Sequence, residues 1–365
     1  MSIEVCHPRG VVYCRPDPRS GFFYLWRDKE MEMVARNRIR VATVLSVLFA
    51  TLWSPCGLWA EQEYPAHDDL FSVSFPTEKD GWACGRFGTI LHTADGGKSW
   101  MRQSSGTSFT LSSIDFTDAK NGWAVGNNGT ILHTSDGGQK WEAQRSPVEF
   151  YHMGVYFLNS SKGFIVSERT HILATHDGGQ TWITQFQDED YILKGISFCD
   201  DRNGWAVGEY GYTYRTQDGG EHWEKQAGFF TLDPETGDIR GEEFLFDVAA
   251  LDPETAWVVG IQGLVKFTQD GGKTWRRVET GTPSVSLYRI QSGGDGSLVF
   301  GGKGLCMIST DKGESWKRAE FQPTVEFNWI YGICPVGAGG FAACGDEGAI
   351  YVSPSGSSVW QRARY

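Results

Sequence analysis

The residues of this chain best equipped for chemistry recur on a fixed spacing. Aspartates stand at 95, 136, 177, 218, 270 and 311, each in a polar octapeptide closed by tryptophan, from TADGGKSW (93–100) and TSDGGQKW (134–141) to STDKGESW (309–316). An aspartate beside glycines could hold calcium, but a hard cation takes about six to eight oxygens and each octapeptide offers one carboxylate. His92 and His133 share one position of two consecutive copies, which suggests a metal pair. The other copies carry Ala174, Arg215, Phe267, Ile308 and Val352 there, so the position is variable and no metal is expected. Acids for a glycosidase exist at Asp188, Glu189, Asp190, Glu242, Glu243, Asp346 and Glu347. That reaction needs two carboxylates roughly 5 to 9.5 Å apart, and nothing in the spacing selects a pair. No cofactor and no catalytic residue are expected.

The spacing itself points to structure. Steps of 41 residues separate Asp95, Asp136, Asp177 and Asp218; one step of 52 leads to Asp270, and 41 returns at Asp311. Each aspartate is followed five residues later by a tryptophan, at 100, 141, 182, 223, 275 and 316, and a worn copy, SPSGSSVW, ends at Trp360 without the aspartate. A period of this size marks an array of supersecondary units. Within one unit, apolar and polar residues alternate in four runs, Ser112 to Phe116, Gly122 to Val125, Thr130 to Thr134 and Trp141 to Gln144, broken by Gly- and Asn-rich turns. Period-two runs between such turns are strands. Seven copies predict an all-β chain: a seven-bladed β-propeller of four-stranded antiparallel blades over residues 61–365. In it the Asp box is a fold device, its carboxylate capping a turn whose glycines take positive φ and its tryptophan filling the seam between blades.

In such a disc the boxes share one face with the turns between first and second strands. The other face carries the turns between second and third strands and the connections between blades. Sequence variety concentrates on that second face, where the tips read GRFG (85–88), GNNG, SERT, GEYG, GIQG, GGKG and GDEG (345–348). The step of 52 comes from an insertion in Ala227 to Asp247, rich in Phe229, Phe230, Phe244 and Phe246. Aromatic side chains on a surface connection either fold back on the disc or form an apolar patch for a protein partner. The candidate partner-binding residues are therefore Arg86, Phe87, Arg169, Tyr191, Tyr210, Phe229, Phe230, Arg240, Phe244, Phe246, Phe327 and Trp329.

The 365 residues carry 46 glycines and 15 tryptophans at a net charge of −12. An acidic balance excludes a nucleic-acid partner, which needs clustered Lys and Arg. The chain is expected to act as a monomer. Residues 1–60 read as an N-terminal extension with an export signal: Arg36, Arg38 and Arg40, an apolar run from Val41 to Trp53, and small residues ending at Ala60. Uncleaved, the same run would anchor the protein to the membrane. Without this segment, which holds eight Lys and Arg and five Asp and Glu, the rest carries 25 positive and 40 negative charges, or −15. Five cysteines remain, at 84, 199, 306, 334 and 344, without a regular spacing. They read as small buried hydrophobes, and Cys84 with Cys344 is the first pair to consider for a disulfide.

The unit NGWAVGNNGTILHTSDGGQKW (121–141) resembles the repeat of the photosystem II stability and assembly factor family of cyanobacteria and chloroplasts, and the resemblance extends over residues 67–360. It implies a seven-bladed propeller on the periplasmic or thylakoid-lumen side. It also implies a non-catalytic scaffold that holds an assembly intermediate of a membrane protein complex. The family engages its partner in part through arginines on one face; here Arg86, Arg169 and Arg240 stand among acids. Sialidases, xyloglucan-cleaving glycosidases and sortilin-type receptors share the Asp box. The alternative reading is therefore a glycoside hydrolase or sialidase-like enzyme, or a carbohydrate-binding propeller. The Arg-Ile-Pro motif of sialidases is absent.

Overall fold

The computed structural model describes residues 68–363 except 233, 237–238, 242–243, 326–327 and 356, with only the backbone described at 230–232 and 239–241. The export signal expected in residues 1–60 lies outside the described residues. Seven sheets follow one another along the chain, each with a core of four antiparallel strands from consecutive sequence. Blade one spans Leu70–Gln103, blade two Leu111–Gln144, blade three His152–Phe186 and blade four Leu193–Ala227. Blade five spans Leu245–Arg277, blade six Leu287–Arg318 and blade seven Ile330–Arg362. The strands of blade two, Leu111–Phe116, Gly122–Gly126, Ile131–Thr134 and Glu142–Gln144, match the alternating runs of the sequence to within a residue or so.

The ring closes between blades seven and one. Leu70, Val73 and Ala83 share one apolar core with Cys334, Ala342 and Cys344. Cys344 Sγ donates to the Leu70 carbonyl at 3.6 Å, and the Glu347 N–H donates to Asp69 Oδ1 at 3.2 Å. Cys84 Sγ makes the corresponding bond to the Leu111 carbonyl one blade on, at 3.6 Å. The two thiols therefore serve successive seams, both are free, and they form no disulfide.

Each first strand would leave an unpaired edge facing the central channel, a cost that buried backbone groups do not bear. Side chains of the preceding blade cover it. The Phe116 N–H donates to Ser74 Oγ (3.1 Å), Phe157 N–H to Asp115 Oδ2 (2.7 Å), Ala250 N–H to Ser197 Oγ (3.1 Å) and Ile290 N–H to Asp247 Oδ2 (2.9 Å). Asp115 lines a cavity of about 240 Å³ together with Ser74, Ser197 and Arg289. Burial pushes its carboxyl up to about 6 against the pull of the Phe157 and Phe116 N–H groups and Arg289.

The seams explain the recurring tryptophans. Trp82 stacks on Phe116 of the next blade at 3.8 Å, and its Nε1–H donates to the Gly137 carbonyl of that blade's box at 3.3 Å. Gln103 Nε2 donates to the same carbonyl (2.9 Å) and Gln103 Oε1 accepts from the box tryptophan Trp141 (3.3 Å). Gly138, at φ +82°, leaves room for that glutamine: a Cβ there would lie 1.9 Å from Gln103 Oε1. The next seam repeats the set with Trp123, Phe157, Gln144, Gly178 and Trp182. Trp100 and Trp223 are buried in their own seams, while Trp275 and Trp316 are partly buried against neighbouring cores. Trp360 is fully buried although its copy has lost the aspartate.

Inside the box the carboxylate holds the turn. Asp95 Oδ1 accepts from Thr93 Oγ1 (2.8 Å) and from the N–H groups of Lys98 and Ser99 (2.9 Å each), while Oδ2 accepts from Ser99 Oγ at 2.6 Å. At Asp136, Asp177, Asp218, Asp270 and Asp311 Oδ1 likewise accepts from the hydroxyl two residues before and the N–H four residues after. These donors hold the carboxyls of Asp95, Asp270 and Asp311 down at about 2. His92 and His133 stack on Trp82 and Trp123 at 4.5 and 4.7 Å, so they pack rather than pair. Among the described residues no cluster suited to a metal ion occurs.

Two features lay beyond the sequence reading. Phe230–Leu232 pairs antiparallel with Ile239–Gly241 as a small two-stranded sheet. The connection after blade six starts as an extra strand, Glu320–Gln322, that pairs in parallel with Val359–Arg362 and makes blade seven five-stranded.

Candidate functional site on the variable face

Backbone bonds fix which loops share a face. The boxes meet the turns between first and second strands, as in Gly137 N–H to Lys120 C=O (3.0 Å) and Gly178 N–H to Ser161 C=O (2.9 Å). The tips between second and third strands meet the connections between blades, as in Asn127 N–H to Thr110 C=O (2.9 Å) and Gly129 N–H to Phe150 C=O (2.9 Å). Boxes and variable tips thus lie at opposite ends of the blades, a back and a front. Gly126 begins its tip because the Thr110 carbonyl would sit 2.0 Å from any Cβ there.

The front tips are strained in a regular way. Phe87, Asn128, Arg169, Tyr210, Gln262 and Glu347, one from each of six blades, sit in the left-handed region at φ 51° to 58°. For a residue with a Cβ this costs roughly 1–2 kcal/mol, which glycine would avoid. Strain kept at a surface position with so varied a side chain points to outward contact. Phe87 is 63% exposed. Phe229, 48% exposed, lies beside Tyr210, to whose carbonyl its N–H donates at 3.3 Å.

The remaining candidate residues divide into groups. Tyr210 joins Tyr191 at a ring distance of 5.3 Å and Phe244 at 4.9 Å, so Phe244 folds back onto the disc. Arg169 lies over Phe150 at 4.7 Å and 3.8 Å from Asp190. Arg86 lies over Phe71 at 5.9 Å and 2.7 Å from Asp69. The arginines are thus separate and each is already engaged with an acid. Phe230, Arg240 and Phe327 have side chains outside the described residues.

Phe246 and Trp329 belong to a larger arrangement that the sequence reading missed. The second residue of a first strand points toward the front rim of the channel, and in blades five, six, seven and one it is Phe246, Tyr288, Tyr331 and Phe71. Their rings follow one another at 5.2, 5.5 and 5.3 Å, and Trp329 packs on Tyr288 at 5.5 Å. Every one is half-buried. The other three blades place Ser112, Met153 and Lys194 at this position, so the rim is aromatic on one side only. Comparing the second position of each first strand would have found it. Beside the arc, Asp346 Oδ2 accepts from the Trp329 N–H at 2.9 Å. Burial, with Asp69 and Glu347 nearby, raises the Asp346 carboxyl, and burial with Asp346 raises the Tyr331 hydroxyl.

Two of the acids that a glycosidase could use are held by tyrosines on this face. Asp188 Oδ2 accepts from Tyr214 Oη at 2.7 Å and Glu189 Oε2 from Tyr212 Oη at 2.8 Å. Glu242 and Glu243 lie outside the described residues.

The fold is shared with several solved structures. YCF48 bound to D1 peptide is 19% identical with a TM-score of 0.64, over 80% of this chain and 93% of that one. YCF48 from Cyanidioschyzon merolae is 18% identical with a TM-score of 0.64, over 80% and 97%. An ancestral GH74 enzyme is 13% identical with a TM-score of 0.64, over 82% of this chain and 46% of its own. At such identities the likeness shows the fold alone. No curated protein matches the sequence. The family described as Photosynthesis system II assembly factor YCF48 matches residues 54–149, 139–234 and 230–364, which takes in every blade. The repeat, the ring of seven blades and this match together place the chain in the photosystem II assembly factor YCF48 family.

Proposed function

We propose that this propeller is an exported, non-catalytic scaffold whose front face holds a subunit or assembly intermediate of a membrane protein complex. The observation that carries the reading is the division of the disc. The back is spent on repeated hydrogen-bonded boxes, while the front keeps six strained, chemically unlike tip residues and an aromatic channel rim. Family membership supports a protein-interaction role, and the relative solved with a D1 peptide gives a precedent for a membrane-complex polypeptide as ligand. The basic and apolar run at residues 36–53 supports placement outside the cytoplasm, soluble or tethered by the N-terminus.

Mild crosslinking of the tagged full chain in its own cells, followed by detergent extraction, tests this. Recovery of unassembled subunits of one membrane complex supports the reading. Recovery of soluble proteins alone, or hydrolysis of oligosaccharides by the purified chain, contradicts it.

A further inference from the structure

The aromatic arc and the acids beside it share one kind of complement. Aromatic faces attract cations, and carboxylates at their edge add charge. The molecule already uses two rings of this cluster in this way. The Arg86 guanidinium lies over Phe71, and the Lys303 ammonium lies 5.0 Å from the centroid of Trp329. Tyr288 and Tyr331 stand 5.5 Å apart and, among the described residues, carry no cation directly over either ring, although Trp329, which bears Lys303, packs on both. Tyr331 shares a hydrogen bond with Asp346, and Asp346 also raises the Tyr288 hydroxyl after burial. Asp69 and Glu347 adjoin this carboxylate, and among the described residues Arg86 pairs with Asp69 alone of the three.

A cation just beneath the rim does not cancel this preference. Arg289, the third residue of its strand, has its Nη1 3.5 Å from the buried carboxylate of Asp247, which offsets its charge. On the far rim, burial lowers the Lys194 ammonium, while Glu209 and Glu168 near it pull it up. Beyond residue 60 the chain carries −15, so its long-range field also favours a basic segment.

We propose that the channel mouth at Tyr288 and Tyr331 receives a lysine or arginine side chain of the partner polypeptide, laid over one of the two rings and paired with Asp346. The proposal rests on the scaffold reading above and adds the chemistry of the segment held. On this reading the partner supplies the basic group at this position. Arginine fits better than lysine because its flat guanidinium can stack on a ring while donating to a carboxylate.

The test uses the full chain with isotope-labelled tyrosine and three acetylated, amidated pentapeptides, Gly-Gly-Xaa-Gly-Gly, in which Xaa is arginine, the uncharged isostere citrulline, or glutamate. The arginine peptide is expected to shift the ring resonances of Tyr288 and Tyr331 saturably, and citrulline and glutamate to leave them in place. Asp346→Asn keeps the acceptor for the Trp329 N–H and should weaken arginine binding roughly fivefold; Tyr288→Leu should weaken it similarly. Raising salt should weaken it further. Equal shifts from the citrulline peptide, no shift from arginine, or binding indifferent to both substitutions on a folded chain would overturn the proposal. A membrane-complex subunit crosslinked to the front without an arginine effect would sink this inference and leave the scaffold reading standing. Arginine binding without any such crosslink would do the reverse.

Discussion

Trp82 of blade one and Phe116 of blade two lie face to face across their seam at 3.8 Å and 10°, and Trp123 and Phe157 repeat the pair at 3.5 Å and 12°. Each tryptophan also donates to the carbonyl of a box glycine in the next blade. A motif on one blade therefore locks the blade after it. Trp123→Ala should lower unfolding free energy by about 3–5 kcal/mol. Trp123→Phe should cost markedly less, because blade three already carries Phe164 there, stacked on Phe198 at 4.9 Å. Denaturant titration of the two variants checks the order.

The box carboxylates make an acid-labile set. Their donors hold Asp95, Asp218, Asp270 and Asp311 at about 2, below the ordinary 3.8. A depressed carboxyl contributes stability above its unfolded value and loses it as pH falls through the folded one. Stability should thus hold down to about pH 4 and decline toward pH 2. Asp270→Asn should flatten that acid limb by about one proton, read from stability against pH.

Asp115 works in the opposite sense. Its carboxyl is raised to about 6 in the channel, where Arg289 and the Phe157 N–H partly oppose the burial. A raised carboxyl favours the folded state while protonated, so this contribution fades as pH rises from about 4 through about 6. Asp115→Asn can still accept from Phe157. It should gain on the parent by roughly 1–3 kcal/mol over that interval and stay level above it. A constant difference at every pH would contradict the assignment.

Strain at the tips is separable from stability. Phe87→Gly and Gln262→Gly, both exposed, should leave unfolding free energy unchanged or raise it by up to about 1 kcal/mol, while reducing recovery of the crosslinked partner. Melting curves and quantitative recovery on the same preparations report the two effects. A clear loss of stability would show that these side chains serve the fold instead.

The blades were legible in the sequence because the 41-residue period, the period-two runs and the turn glycines all state one architecture. Seam chemistry was half legible. The box tryptophans announced themselves, but the bond from Trp82 to Gly137 joins residues 55 apart. The part played by Gln103, which serves both Gly137 and Trp141, appears only once the blades are side by side. On the front, Phe246 and Trp329 were visible as aromatic residues in long connections. Tyr288, Tyr331 and Phe71 were not, because inside a strand an aromatic residue reads as core until the ring shows which strand position faces the rim. The thiols of Cys84 and Cys344 look like a pair in the sequence, yet equivalent positions on neighbouring blades point to different carbonyls.

The central claim is that recognition belongs to the front and structure to the back. A photo-crosslinking amino acid placed at Asn128 or Gln262 on front tips, and at Lys98 or Gln139 in back boxes, measures it in the native cell. The account predicts that the front positions capture a subunit of one membrane protein complex and the back positions do not. Equal capture from both faces, or capture from the boxes alone, would contradict it.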